Sequence, residues 1–171
     1  EATYKINTLA TRDMAIACKA RGIQRYVFAS SCSVYDKGVL DDDANLLQTE
    51  ESELEPTATY AKSKYDAERY LIGLADDDFC PVMLRKGTVY GFSPRMRYDL
   101  VVNTFVKDAF STGVLNLHLG GEMWRPLLEI RDAARAYITC MEAPADEVRG
   151  EIFNVVNQNF RISEVGLRVR E

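Results

Sequence analysis

The chain has 171 residues, of which 47% are hydrophobic and 27% are charged, a balance typical of a globular protein with one core. A formal net charge of -5 argues against the clustered basic surface that nucleic acids require, so we expect a small-molecule ligand. No apolar run approaches the roughly 20 residues that span a bilayer, and no signal peptide is visible. We therefore expect a cytoplasmic protein with no membrane and no nucleic-acid partner.

The four cysteines, Cys18, Cys32, Cys80 and Cys140, are far apart and form no C-x-x-C pair. They indicate neither a zinc site nor a disulfide framework, so no bound metal is expected. Cys32 lies within a serine cluster, but a thiol nucleophile needs a histidine base. The only histidine, His118, lies in an unrelated hydrophobic stretch. Buried, reduced thiols are the favoured interpretation, and a catalytic Cys32 is the alternative.

Helices and strands alternate through the first half of the chain. Apolar spacing and turn residues predict a helix over 4–21 that ends at Gly22, a strand over 25–30, a helix over about 58–75 and a strand over 81–86. Two strands joined through a helix form a parallel crossover unit. The polar connection between the first strand and the second helix is long, and such a connection in a compact domain is usually functional.

Two predicted helices carry apolar residues at helical spacing, which predicts that one face of each is buried. In the first helix the predicted buried stripe consists of Ile6, Leu9, Ala10, Met14, Ala17 and Cys18. In a later helix, from 131 to about 141, it consists of Ala134, Tyr137, Ile138 and Met141.

Beyond Gly91 the elements become shorter and their order less regular. The pattern predicts a helix over 100–110, a strand over 114–119, the helix from 131, a strand over 151–156 and a helix from residue 162. We assign residues 1–91 to one domain and residues 92–171 mainly to a smaller lobe over the sheet. The segment 126–143 is expected to return to the first domain.

Polar residues mark the point where each of the first two predicted strands ends. Ser30 and Ser31 directly follow the first strand, and the segment Gly87–Gly91 follows the second. Both therefore fall at the carboxyl edge of a parallel sheet, which is where ligands bind. On the intervening helix, Tyr60 and Lys64 are four residues apart and share one face.

A hydroxyl, a phenol and a lysine that meet in one pocket can move a proton during alcohol and ketone chemistry. A free tyrosine has a pKa of about 10, and a nearby ammonium favours the phenolate. Ser31 would hold a substrate hydroxyl while Tyr60 removes its proton and hydride leaves the carbon. Side chains do not carry hydride, so a nicotinamide cofactor is expected. Each feature alone is commonly structural, and only the combination in this order is specific.

In their order along the chain these features resemble the extended short-chain dehydrogenase/reductase superfamily, and within it the NAD-dependent nucleotide-sugar epimerase/dehydratase family. The resemblance covers nearly the whole chain. It rests on an Asn-x-x-x-Thr segment, a serine four residues before a tyrosine, a Tyr-x-x-x-Lys pair, the segment around the end of the second strand, an arginine and an aspartate. The matching positions are Asn7 and Thr11, Ser31 and Tyr35, Tyr60 and Lys64, 84–91, Arg125 and Asp132.

The resemblance implies an α/β fold in which residues 1–91 form the later part of a Rossmann-type, doubly wound parallel sheet that binds NAD(P). The remaining residues would mainly form a smaller α/β substrate-binding lobe. NAD is the expected cofactor and NADP the alternative. A nucleotide sugar is the expected substrate, and the protein is expected to be a homodimer.

The resemblance also implies roles for individual residues. Ser31, Tyr60 and Lys64 would be catalytic, and Lys64 would also hold a cofactor ribose hydroxyl. The implied cofactor-binding residues are Asn7, Ala29, Ser30, Tyr60, Lys64, Gly87, Thr88 and Val89. The implied substrate-binding residues are Ser31, Ser33, Tyr60, Asn103 and Arg125, of which the arginine would bind a diphosphate.

Two departures from the family pattern shape the expected function. No G-x-G-x-x-G occurs, so the cofactor's pyrophosphate is expected to bind a part of the protein that precedes Glu1. Sugar dehydratases of this superfamily carry an Asp-Glu pair directly after the catalytic Ser/Thr, whereas this chain has Cys32 and Ser33. Neither replaces a carboxylate, so we expect an epimerase that acts through a transient keto-sugar. A reductase or dehydrogenase, a sugar dehydratase and a non-catalytic cofactor-sensing module stay open as alternatives.

Overall fold

The structure is a computed structural model that describes residues 1–35 and 47–170. Its helices are α1 (Ala2–Tyr4), α2 (Ala10–Ala20), α3 (Thr59–Leu74), α4 (Val101–Thr112), α5 (Ile130–Glu142), α6 (Ala145–Val148) and α7 (Ile162–Arg170). Its strands are β1 (Arg25–Ser31), β2 (Cys80–Lys86), β3 (Thr88–Tyr90), β4 (Trp124–Glu129), β5 (Ile152–Val155) and β6 (Gln158–Arg161). The π-helical turn Lys5–Leu9 joins α1 to α2, and 3-10 turns cover Cys32–Tyr35 and His118–Gly121. No helix within these residues has both the length and the apolar character needed to cross a membrane.

The chain divides into two compact units. The first comprises Glu1–Lys86 and Arg135–Val155, and the second comprises Gly87–Ala134 and Val156–Glu171. The first change of unit lies five residues before the predicted boundary at 91/92, and the segment that returns to the first unit starts later than the predicted 126–143. The assignment of the two parts to cofactor binding and substrate binding remains a prediction.

A parallel sheet forms the centre of the first unit. Its described strands have the order β1-β2-β5, and both neighbouring pairs run parallel. β1 and β2 are in register from Arg25 opposite Cys80 to Ser31 opposite Lys86, so both strands end at the same edge. Helix α3 lies between them in the sequence, which confirms the predicted strand, helix, strand crossover and the α/β class.

Strand β2 is buried on both faces from Cys80 to Arg85, as expected for the central strand of a parallel sheet. On one face, Met83 packs with residues of α2, α3 and β1, which include Ala15, Ala67, Leu71 and Phe28. On the other face, the packing partners come from α5 and α6, and this cluster contains Val82, Leu84, Cys140 and Val148. Helices therefore cover both faces of the sheet.

Helix α2 ends at the predicted glycine. Gly22 has a φ of 72°, and its N–H donates to the carbonyl O of Lys19 at 3.0 Å. The next N–H, that of Ile23, donates to the carbonyl O of Cys18 at 3.0 Å. This pair of hydrogen bonds satisfies carbonyls at the end of the helix and needs a left-handed residue, which glycine adopts without strain.

The apolar stripe predicted for the first helix is largely wrong. The buried residues of this helical stretch are Thr8 and Ala15, whereas Ile6 and Met14 are 69% and 60% exposed. Thr8 is fully buried because its hydroxyl donates to the carbonyl O of Ser63 on α3 at 2.8 Å. Small side chains let these two helices approach closely, so the buried face follows size and hydrogen bonding instead of hydrophobicity.

The stripe predicted for α5 is also largely wrong. Its buried residues are Ala133 and Cys140, with Tyr137 half-buried, whereas Ile138 and Met141 are 53% and 62% exposed. Cys140 packs against β2 in the first unit, where a small residue fits beside the flat face of the sheet. Tyr137 packs against the same cluster as Cys140, whereas Ile138 and Met141 stay exposed.

A mixed sheet forms the centre of the second unit, with its described strands in the order β3-β4-β6. β3 runs parallel to β4, with Thr88 opposite Leu127, and β6 runs antiparallel to β4. Helices α4 and α7 pack with β4 in a core that contains Phe105, Leu127, Ile162 and Val165.

The strand predicted over 114–119 is wrong. Gly113 ends α4 with a φ of 69°, and Leu119 and Gly120 have φ values of 49° and 68°, so the chain turns at both ends of this segment. Leu115 packs against the core of the second unit, whereas Val114 and Leu117 are exposed. The apolar residues of the segment therefore do not form the buried face of a strand.

Replacing Gly121 by alanine is expected to destabilise the protein more than the control replacement of Gly113. Both glycines have left-handed φ values, 79° and 69°, which cost an alanine roughly 1–2 kcal/mol. An added Cβ at Gly121 would also lie 2.8 Å from the backbone N of Ser163, whereas nothing lies within 4 Å of one at Gly113. Urea unfolding of the two variants measures the difference, and equal losses would contradict the close approach at Gly121.

Candidate active site

Ser31, Tyr60 and Lys64 all belong to the first unit, where β1 packs against α3. Ser31 is the last residue of β1, and Tyr60 and Lys64 lie in the first two turns of α3. The Lys64 ammonium donates a hydrogen bond to the carbonyl O of Ala29 at 2.9 Å, two residues before Ser31. The same ammonium lies 5.8 Å from the centre of the Tyr60 ring. Lys64 therefore links the predicted acid–base tyrosine to the strand that ends at Ser31.

Tyr60 is accessible to solvent. The residue is 47% exposed, although the neighbouring Ala61 and Ser63 are buried. A ligand can therefore contact the Tyr60 side chain without any unfolding of α3.

Lys64 lies in surroundings that disfavour its positive charge. Burial lowers the pKa of its ammonium, and the charge of Lys86 at the end of β2 lowers it further, while Glu68 one turn along α3 opposes both effects. The ammonium lies 4.8 Å from the centre of the Phe28 ring, a cation–π contact that partly compensates for lost water. Lys64 is therefore expected to release its proton at a lower pH than a free lysine does.

Ser31 keeps a hydrogen-bond donor available. The backbone N–H of Ser33 donates to Ser31 Oγ at 3.2 Å, which fixes the acceptor side of the hydroxyl. Among the described residues, no acceptor takes the Ser31 hydroxyl proton. This proton can therefore be donated to an oxygen of a ligand.

Asn7 and Thr8 attach the π-helical turn to α3. Asn7 Nδ2 donates to Ser63 Oγ at 3.1 Å, and Thr8 Oγ1 donates to the carbonyl O of Ser63 at 2.8 Å. Ser63 Oγ in turn donates to the carbonyl O of Tyr60 at 2.7 Å. The predicted cofactor residue Asn7 is thus connected to the turn of α3 that carries Tyr60, and π-helical turns often occur at functional sites.

Sequence reasoning missed two buried charged residues that form hydrogen bonds with residues at this edge of the sheet. Glu68 and Arg85 form a buried ion pair, with 2.7 Å between Nη2 and Oε2. Ser30, predicted to bind cofactor, uses its buried hydroxyl to donate to Glu68 Oε1 at 2.5 Å, and Arg85 Nη1 donates to Tyr35 Oη at 2.8 Å. The signals were a charged residue inside an apolar strand and a glutamate one turn after Lys64 on the same helix face.

The geometry of Cys32 does not favour a nucleophile. Its thiol donates to the carbonyl O of Arg85 at 3.2 Å. Burial raises the pKa of this thiol to about 12, against the smaller lowering effect of the Arg85 charge. Because the thiolate is the reactive form, Cys32 is unreactive near neutral pH. The Oγ of the adjacent Ser33 is buried without a hydrogen-bond partner among the described residues.

The predicted site residues Gly87, Thr88, Val89, Asn103 and Arg125 belong to the second unit. Thr88 and Val89 form part of β3 and pair with β4. A Cβ on Gly87 would lie 2.8 Å from the carbonyl O of Pro126, so packing within the second unit already requires a glycine there.

Asn103 and Arg125 have their own partners in the second unit. Asn103 is 7% exposed, and its side chain donates to the carbonyl O of Arg97 at 3.1 Å and accepts from the N–H of Gly91 at 3.4 Å. Arg125 Nη1 donates to the carbonyl O of Trp124 at 3.0 Å and Nη2 donates to Met123 Sδ at 4.0 Å, which leaves three of its five guanidinium N–H donors for a ligand.

Asp132 accepts a hydrogen bond from Asn157 Nδ2 at 2.8 Å. Asn157 Oδ1 accepts from the N–H of Glu129 at 2.6 Å, and the Asn157 N–H donates to the carbonyl O of Leu127. Through Asn157, Asp132 helps to fix β4 to the segment that precedes β6. This geometry gives Asp132 a structural role.

The model of the NAD dependent epimerase/dehydratase family matches residues 1–156 of the chain. The chain belongs to this family. That membership confirms the resemblance inferred from the serine, tyrosine and lysine motifs. It also places the chain in a family of NAD-dependent enzymes that includes nucleotide-sugar dehydratases and epimerases.

Two curated members of the family show how the chain relates to longer proteins. A trifunctional UDP-glucose 4,6-dehydratase/UDP-4-keto-6-deoxy-D-glucose 3,5-epimerase/UDP-4-keto-L-rhamnose-reductase of Arabidopsis thaliana is 31% identical over 155 residues. The match covers 90% of this chain and 22% of that protein. A dTDP-D-glucose 4,6-dehydratase of Dictyostelium discoideum is 26% identical over 168 residues, which cover 93% of this chain and 37% of that protein.

A solved structure of the family confirms the Rossmann-type fold. MoeE5 in complex with UDP-glucose and NAD superposes with a TM-score of 0.81 at 26% identity, over 95% of this chain and 52% of that chain. The chain therefore spans about half the length of this structure and less than half of the two curated relatives.

The free energy of unfolding of the wild type is expected to rise relative to that of Lys64→Met as the pH increases from neutral to alkaline. The folded pKa of Lys64 lies below its unfolded value, so between the two values the unfolded state binds more protons than the folded state. Methionine keeps an apolar stem but does not titrate, so the difference between the two urea unfolding curves isolates this proton. A difference that stays constant or falls with pH would contradict a lowered pKa of Lys64.

Proposed function

We propose that the protein is an NAD-dependent epimerase that interconverts nucleotide-activated sugars through a transient keto intermediate. The observation that carries this proposal is the meeting of β1 and α3, where the Lys64 ammonium lies between the Tyr60 ring and the strand that ends at Ser31. Family membership and the UDP-glucose and NAD bound by MoeE5 support the substrate class and the cofactor.

The donor set of the first unit fits the nicotinamide end of NAD. A lysine ammonium has three N–H donors, and the structure shows one of them on the carbonyl O of Ala29. The other donors can bind ribose hydroxyls, and the Tyr60 side chain, 47% exposed, is open to contact by a substrate. When bound, NAD supplies the hydride acceptor that side chains lack.

Each of the three side chains has a separate role in the proposed reaction. Ser31 donates a hydrogen bond from its free hydroxyl to the sugar oxygen, which orients the sugar. Tyr60 removes the proton from that oxygen as the carbonyl forms and returns it when the carbonyl is reduced. Lys64 stabilises the phenolate by its charge and holds the cofactor ribose. Rotation of the keto-sugar between the two steps would give inversion.

Two neighbouring side chains favour epimerisation over dehydration. Elimination of water needs an acid and a base, which the superfamily's sugar dehydratases supply with an Asp-Glu pair at the positions of Cys32 and Ser33. Here the Cys32 thiol has a pKa of about 12, and the Ser33 hydroxyl is buried without a partner among the described residues. Dehydratase activity remains the second candidate, because the names of both curated relatives include it.

A one-way reductase or dehydrogenase would need the same Ser31, Tyr60 and Lys64, and would differ from the epimerase in its substrate. A non-catalytic cofactor-sensing module would not need the Tyr60–Lys64 pair, which is intact here. The intact pair therefore favours an enzyme.

We also propose that the protein is a cytoplasmic homodimer. For substrate binding, we propose that Arg125 binds the diphosphate, and that Asn103 and Ser33 each contact the substrate. The guanidinium donors that Arg125 keeps available support its part of this proposal.

Tyr60→Phe is expected to lower kcat for nucleotide-sugar epimerisation by on the order of 10²–10⁴, because it removes the group that moves the proton. Tyr70→Phe on the same helix is the matched control, since Tyr70 is similarly exposed at 41% and lies outside the proposed site. Product formation by the full-length protein with NAD is followed by chromatography of the nucleotide sugars. Wild-type kcat in Tyr60→Phe would refute the proposed mechanism.

Arg125→Ala is expected to raise KM for nucleotide sugars by roughly 10-fold or more, because charge-assisted hydrogen bonds to a diphosphate contribute about 1.5–3 kcal/mol. The control is Arg131→Ala, which removes an 82% exposed arginine of the same unit that pairs with Glu129. Steady-state kinetics with a panel of nucleotide sugars give both values. If Arg125→Ala keeps the wild-type KM, as Arg131→Ala is expected to do, Arg125 does not bind the diphosphate.

A further inference from the structure

The ion pair between Glu68 and Arg85 takes no part in the proton transfer proposed above. Both side chains are almost fully buried, at 1% and 2% exposure. Arg85 Nη2 lies 2.7 Å from Glu68 Oε2, and Arg85 Nε donates to Glu68 Oε1 at 3.1 Å. Glu68 belongs to α3, which carries Tyr60, and Arg85 belongs to β2. The pair thus ties the helix of the proposed acid–base group to the central strand of the sheet.

The segment Ser30–Tyr35, which contains Ser31, bonds to this pair on both sides of the serine. Ser30 Oγ donates to Glu68 Oε1 at 2.5 Å. Arg85 Nη1 donates to Tyr35 Oη at 2.8 Å, and the guanidinium carbon lies 5.0 Å from the centre of the Tyr35 ring. The residue before Ser31 is therefore fixed by the carboxylate, and the end of the following 3-10 turn is fixed by the guanidinium.

Two further hydrogen bonds fix the same segment. The Cys32 thiol donates to the backbone carbonyl O of Arg85 at 3.2 Å. The Tyr35 hydroxyl donates to Asn154 Oδ1 on β5 at 2.7 Å. The short turn after β1 is thus bonded to both of the strands that follow it in the sheet.

We propose that Glu68 and Arg85 are positioning residues, which fix the segment Ser30–Tyr35 so that the Ser31 hydroxyl keeps one position relative to the phenol of Tyr60. This inference rests on the proposed function, because it concerns the alignment of two groups of that reaction. It assigns no contact with substrate or cofactor to either residue of the pair.

A purely structural role would not explain the pattern of bonds. Two apolar side chains of similar size can replace a buried ion pair with no loss of stability, and often with a gain. They cannot supply directed hydrogen bonds to Ser30 and Tyr35, which lie on either side of the predicted catalytic serine. A displacement of about 1 Å at a reacting group can lower a rate roughly 10²-fold, so these bonds matter for alignment more than for folding.

The double variant Glu68→Leu/Arg85→Met separates alignment from stability. It removes both buried charges together, so neither is left unpaired. In the full-length protein with NAD, we expect kcat for epimerisation to fall roughly 10- to 100-fold with little change in KM. The control is Val82→Ala on the other face of β2, which weakens the core without touching the segment and is expected to keep its kcat. A folded double variant with wild-type kcat would overturn the proposal.

Two single variants keep the ion pair and decide the question if the double variant does not fold. Tyr35→Phe and Ser30→Ala each remove one hydroxyl that bonds the segment to the pair. Each is expected to lower kcat several-fold without a change in KM. The control is Tyr26→Phe, which is expected to keep the wild-type kcat. Tyr26 is half-buried and lies on β1, the strand that carries Ser30. Wild-type kcat in both single variants would also overturn the proposal.

Hydrogen exchange separates this inference from the proposed function. Amide exchange of the peptide that covers Ser30–Tyr35 is expected to become faster in all three variants and to stay unchanged in Tyr26→Phe. This readout does not depend on turnover. A wild type without epimerase activity would refute the proposed function, whereas unchanged exchange in the variants would refute the positioning role.

Discussion

A buried carboxylate and guanidinium hold the proposed catalytic edge together. Removing one partner of such a pair leaves an uncompensated charge in the protein interior and costs about 3–5 kcal/mol. Neither Glu68 nor Arg85 can therefore be replaced alone without a large loss of stability. Through them α3, β2 and the end of β1 meet at fixed distances. Tyr60 is exposed and Ser31 is only half-buried, so in the proposed reaction both depend on this buried support for their alignment.

Much of this architecture could be predicted from the sequence. Strands that are buried in a parallel sheet appear as short apolar runs, so β1 and β2 were placed within one residue at each end. The carboxyl ends of such strands share one edge, and Ser31, predicted just after the first strand at this edge, is the last residue of β1. The helical spacing of Tyr60 and Lys64 put both on one face of α3, and the Lys64 ammonium lies near the Tyr60 ring. Local patterns were sufficient wherever neighbouring residues determine the geometry.

The remaining features depend on contacts between distant parts of the chain. Thr8 is buried because Ser63 accepts its hydrogen bond, and no periodicity of apolar residues reveals such a pairing. The partners Glu68 and Arg85 lie on different elements, so the sequence shows two charged residues but not that they meet. The wrong prediction of a strand over 114–119 has a local cause, because Leu119 adopts a left-handed conformation that is rare for leucine. Hydrophobicity therefore predicted elements better than it predicted their buried faces.

The central claim is that the sugar carbon loses and regains the same hydrogen while Tyr60 exchanges only the oxygen-bound proton with solvent. Epimerisation carried out in deuterium oxide, with mass spectrometry and NMR of the isolated nucleotide sugar, tests this claim most directly. The account predicts an inverted product that carries no deuterium at the inverted carbon, because the hydride is held away from water between the two steps. Deuterium at that carbon would show removal and return of a carbon-bound proton, and loss of water from the sugar would show dehydration; either result would contradict the account.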